Sequence, residues 1–122
     1  MIEVSPEEFE RLVEKALDGL PEQFARMLDN VVIAVEDEPG EEDLVSVGLD
    51  PEKDDLLGLY EGVSQYDRGS DYGGVLPDRV VLFRLPILWI CESREEVVKE
   101  VTDTLVHELG HHFGLGEDDM PY

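Results

Sequence analysis

The chain has 122 residues, 42% of them apolar, which suits one globular domain over residues 1–122 and leaves no room for two lobes with a cleft between them. Against 31 Asp and Glu stand only 9 Lys and Arg, a net charge of −22. Nucleic acid is therefore a poor partner, anionic membrane surfaces are disfavoured, and a basic peptide or protein would be attracted.

No basic-then-apolar leader precedes the first helix and no stretch approaches a membrane span, so a cytoplasmic protein is expected. Ser5-Pro6-Glu7-Glu8 is a strong helix start: Ser5 caps, Pro6 suits the first position, and Glu8 is placed to close a capping box. Phe9, Leu12, Val13, Ala16 and Leu17 mark the apolar face, and Gly19 is a plausible stop. Pro21 opens a second, short helix carrying Phe24, Met27 and Leu28.

Val31 to Val35 is β-branched and apolar, the best strand of the first half. Residues 36–55 are acidic and broken by Pro39, Gly40, Gly48 and Pro51, and read mainly as loop. Leu56 to Glu61 reads as a second strand and Arg79 to Leu85 as a third, ended by Pro86. Pro86 to Cys91 fits a short helix or an extended segment; periodicity does not separate the two. Cys91, the only cysteine, lies in an apolar context and is expected to be buried rather than reactive, with no intrachain disulfide possible. Ser93-Arg94-Glu95-Glu96 is a second capping box, so a helix should begin at Arg94 and run to about Phe113, where Gly114 ends it. Helices, then strands, then a long helix make the class α+β, with helices against one small sheet.

That last helix carries the chemistry. All three histidines fall within it, and His107-Glu108-Leu109-Gly110-His111 is an H-E-x-x-H pattern. At about 100° per residue, Val98, Val101, Leu105 and Leu109 share one sector, with Phe113 nearby. His107 and His111 lie about 40° apart and roughly opposite, with Glu108 to one side. Two imidazoles one turn apart can hold one metal ion, and the neighbouring carboxylate can reach a water bound to it. Such a pair can also be plain surface residues, but the capped amphipathic helix and the lack of other histidines favour a metal. His112 projects toward the core and reads as a packed histidine.

A catalytic zinc site commonly takes three protein ligands plus water. Gly114 lets the chain reverse, and Glu117, Asp118 and Asp119 follow at once. The extended pattern, ending at Glu117, resembles that of metzincin peptidases, which carry histidine there. The segment His107–Leu115 with its acidic cluster, together with Leu57–Gly62 and Leu76–Arg79, more closely resembles the small bacterial family of minimal zincin-like metallopeptidases. That resemblance covers most of the chain beyond the N-terminal helices. It implies a zincin-like α+β fold with a C-terminal active-site helix, one Zn²⁺ per chain and peptidase activity. Glu117 replaces the usual Asp or His, so the third ligand is Glu117 or, with a shifted loop, Asp118. Only five residues follow Glu117, too few for a Met-turn, and Met120 reads as a packing or end residue.

On this reading a peptide or protein is the substrate, Glu108 is the general base, and the strand Arg79–Leu85 offers an edge to an extended peptide. Tyr60, Tyr66 or Tyr72 could donate to a developing oxyanion; packing roles are the plainer reading of each. Three other readings remain: a non-catalytic metal-binding or interaction domain, an enzyme completed by a partner chain, and a metal-dependent nuclease, which the charge opposes.

Overall fold

The computed structural model describes residues 1–29, 31–50, 55–61 and 78–112, with 111 and 112 as helical backbone only. Helices α1 (Pro6–Asp18), α2 (Glu22–Met27), α3 (Glu41–Ser46), α4 (Arg84–Trp89) and α5 (Arg94–His112) combine with strands β1 (Val31–Glu36), β2 (Gly58–Glu61) and β3 (Asp78–Phe83). This is the expected α+β arrangement. No helix among the described residues is long and apolar enough to cross a membrane.

The two main helices begin where their caps require. Ser5 Oγ accepts from the Glu8 N–H at 3.1 Å, and Ser93 Oγ accepts from the Glu96 N–H at 3.1 Å. Neither box closes in the expected way. The Glu8 carboxylate takes the Arg94 guanidinium instead, with Nη2 donating to Oε1 at 3.0 Å, and ties the start of α1 to the start of α5. That contact lowers the Glu8 carboxyl pKa and raises that of Arg94. The Glu96 carboxylate accepts from the Glu92 N–H at 2.7 Å, one residue before the cap.

The sheet order is β1-β3-β2, with β1 parallel to β3 and β2 antiparallel to it. A strand covered on both faces needs apolar residues on both, and Val80, Val81, Leu82 and Phe83 are all buried. Val80 and Leu82 enter the main core with Phe9, Val13, Val101 and Leu105; Val81 and Phe83 join Leu59 in a smaller cluster opposite. The third strand is thus the central one, which corrects the expectation that Arg79–Leu85 presents an edge to a peptide. Among the described strands the edges are β1 and β2.

Two further expectations change. The acidic stretch read as loop contains α3. Its three carboxylates, Glu41, Glu42 and Asp43, fill the first turn, where they complement the helix dipole, and Asp43 Oδ2 accepts from the Gly40 N–H at 2.9 Å. Gly48, at φ 82°, supplies the left-handed residue after the helix. The third strand ends at Phe83, not at Leu85. Pro86 sits in the first turn of α4, where a missing N–H leaves no intrahelical bond unmade. Arg84 fixes that turn, donating from Nε to Asp37 Oδ1 at 3.0 Å and from Nη1 to the Val4 carbonyl at 2.8 Å.

Helix α5 packs on α1, on β2 and on β3. Its approach to β2 is close: a β-carbon at Gly58 would lie 2.5 Å from Thr104 Cγ2 and 3.2 Å from the Val81 carbonyl oxygen. Gly58→Ala should therefore destabilise the fold by about 1–3 kcal/mol in urea unfolding. The same change in a Thr104→Ala background should cost clearly less, because the methyl it meets is gone; strict additivity of the two would refute a direct clash.

Cys91 is buried, as expected, and burial pushes its thiol pKa from 9.0 up to about 11, with the charges of Glu100 and Glu96 adding to the rise. The folded chain then holds a proton that the unfolded chain releases first. Stability is full below about pH 9 and erodes as pH climbs toward about 11. A urea-unfolding series across that window should lose this part of its downward slope in Cys91→Ala.

Candidate active-site cleft

Helix α5 runs without a break from Arg94 to His112. Val97, Val101, Leu105, Val106 and Leu109 are fully buried along it, so the helix is clamped by one flank. His107 lies on the exposed side and Glu108 is half-buried beside it, as the helical projection requires. The buried flank is wider than that projection: Val97 and Val106 belong to it, whereas Val98 is only partly covered.

His107 and Glu108 share the wall of a cleft of about 320 Å³ with Glu100, Asp103 and Thr104 of the same helix. The opposing wall is Leu56, Leu57 and Gly58, where the chain enters β2. The cleft is thus formed where β2, close to the helix through Gly58, begins. Its mixed lining of leucines and carboxylates suits an amphipathic ligand better than a purely polar one.

Helical backbone continues through position 111, so the one-turn relation of His107 and His111 is realised in the main chain. The His111 and His112 side chains lie outside the described residues, as do Phe113, Gly114, Glu117, Asp118 and Met120. Among the described residues no three His, Cys, Asp or Glu side chains gather as a metal cluster. Of the tyrosines weighed as oxyanion donors, Tyr60 gives its hydroxyl proton to Asp78 Oδ2 at 2.8 Å and is not part of the cleft wall. Tyr66 and Tyr72 lie outside the described residues.

The sequence reading missed Asp103. Its Oδ2 accepts from Lys99 Nζ at 3.0 Å, while its Oδ1 is buried with no hydrogen-bond partner. A carboxylate one turn before the first histidine of the pattern was the available signal. Gly58 was also legible, since a glycine inside a strand pattern often marks close approach of another element. His107 and Glu108 bring an imidazole and a carboxylate, side-chain types that zinc accepts, to one cleft.

Known proteins agree with this frame. The family model described as zincin-like metallopeptidase matches residues 28–122, beginning directly after α2 and taking in all three strands and α5. A solved structure of a conserved hypothetical protein from Thermus thermophilus is 29% identical, with a TM-score of 0.59; the match covers 90% of this chain and 94% of that one. No curated protein matches the chain.

Proposed function

The chain belongs to the zincin-like metallopeptidase family, and from that premise we propose that it hydrolyses peptide bonds with one zinc ion held by His107, His111 and Glu117, and with Glu108 as general base. The observation that carries the proposal is the pairing of an exposed imidazole and a half-buried carboxylate, His107 and Glu108, on the wall of one cleft beside a rigidly packed helix. Spacing alone selects Glu117 as the third ligand, with Asp118 as its alternative.

Zinc, when bound, supplies Lewis acidity, lowering the pKa of a water molecule and polarising the scissile carbonyl. Glu108 takes the proton from the attacking water and returns it to the departing amine, so that neither hydroxide nor an amide anion is released. Burial of the Val97–Leu109 flank holds both groups in register on the helix. Leu56 and Leu57 exclude water from one side of the cleft. Strand β2 starts at this wall and is an edge among the described strands, which supports an extended peptide lying along it, in place of the central strand.

Metal analysis of protein purified without added zinc should give close to one zinc per chain. His107→Ala and His111→Ala should each lose it. Glu108→Gln should keep the metal and lower hydrolysis of a peptide library on the order of 10²–10⁴-fold. Hydrolysis undiminished in Glu108→Gln would remove the residue from the mechanism, and a metal-free wild type would end the proposal.

A further inference from the structure

We propose that the outward side of α4 is a docking site for a basic segment of another protein, which sets an apolar side chain beside Trp89 and a lysine or arginine against the carboxylates around it. The site is lined by other residues than the histidine-bearing cleft and does not depend on the zinc reading.

Helix α4 is anchored in the core by Pro86, Ile87 and Leu88, all buried. Its other side turns outward. Leu85 and Trp89 stand four residues apart on one face and are 38% and 68% exposed, and Ile90 beside them is 52% exposed. One apolar residue on a surface needs no explanation, but three together, one of them the chain's only tryptophan, make a patch. Tryptophan is also the residue type on which binding energy most often concentrates.

The patch has a shape and a charge. Leu85, Pro86 and Trp89 line an open hollow of about 380 Å³. Leu44 of α3 and Pro39 add apolar surface to it, and Glu38 and Asp55 add two exposed carboxylates. This described lining holds no lysine or arginine. Apolar surface alone would accept any hydrophobic segment; the carboxylates select one that carries cations. The field of a chain with a net charge of −22 draws such a segment in from a distance. A cation over the indole face is attracted further by the ring quadrupole. A second copy of this chain is the poorer occupant. It brings the same −22, and a two-fold contact through this patch would set Glu38 and Asp55 near their own counterparts.

The test uses the full chain and synthetic peptides that alternate lysine with leucine, glutamate with leucine, or lysine with serine. Emission from the chain reports Trp89 alone among tryptophans. It should shift to the blue with the lysine–leucine peptide and stay unmoved with the other two. Anisotropy of the labelled lysine–leucine peptide should show Trp89→Ala binding about 5–30-fold more weakly. Glu38→Gln combined with Asp55→Asn should weaken binding about 2–5-fold at low salt. Glu10→Gln combined with Glu14→Gln, which removes the same charge from α1, should weaken it much less. If Trp89→Ala fails to fold, these paired charge variants carry the comparison. Binding that leaves the Trp89 emission unmoved, or that both charge pairs weaken equally, would overturn the proposal in favour of diffuse attraction to a highly charged chain. So would a Trp89 shielded from acrylamide in the free monomer, which would put another segment of this chain over the patch. A dimer dissolved by Trp89→Ala would overturn it too, making a second copy the occupant.

Discussion

Helix α5 and strand β2 meet so closely that any side chain at position 58 would force its neighbours to shift. A β-carbon there would sit 2.5 Å from Thr104 Cγ2, well inside van der Waals contact. This contact fixes how far the start of β2 stands from the helix, and therefore how wide the cleft is between Leu56–Leu57 and the flank bearing His107 and Glu108. The other side of the helix is fixed just as firmly, because Val97, Val101, Leu105 and Leu109 are fully buried in the main core with Phe9 and Val80. A close-packed interior has little freedom to shift by fractions of an ångström. The packing that stabilises the fold is thus the same packing that aims the cleft residues.

The parts of this arrangement that were legible in the sequence are those set by local rules. Ser5 and Ser93 announce their helices because a hydroxyl before a helical pattern satisfies an otherwise orphaned N–H. Val31–Val35 and Val80–Phe83 announce strands through β-branching and burial, and His107-Glu108-x-x-His111 announces its chemistry through helical spacing. What local rules could not supply is who neighbours whom. Nothing in Arg79–Phe83 says that it lies between β1 and β2; that follows from a parallel crossover joining elements far apart in the chain. Helix α3 was hidden because Glu41-Glu42-Asp43 is as suitable for a solvated loop as for a helix N-terminus, and the burial of Leu44 that decides the matter is tertiary. Pro86 misled for a similar reason: it ends a strand or opens a helix with equal ease. Glu8, placed to close its own cap, is drawn instead to Arg94, 86 residues away.

The shortage of cations bears on the site as well. Among the described residues, most of the ion pairs stand where elements join. Arg94 meets Glu8 between α5 and α1, and Arg84 meets Asp37 after β1. Arg79, on the central strand, reaches Glu36 of β1 at 3.0 Å and Glu61 of β2 at 3.2 Å, the latter as an ion pair without hydrogen-bond alignment. Exposed pairs of this kind contribute little stability individually. Their placement matters more, because each selects one docking of its elements over alternatives in which like charges would face each other across the joint.

With so few cations in the chain, the wall of the cleft is dominated by carboxylates. Glu100, Asp103 and Glu108 line it, and Lys99 is the one cation found paired with any of them among the described contacts. A cleft with apolar walls concentrates the field of such charges, and its attraction for a divalent cation or a basic peptide weakens as salt is added. The same field would oppose an acidic peptide. It also penalises any carboxylate of the wall that is left without a donor, which is the condition of Asp103 Oδ1.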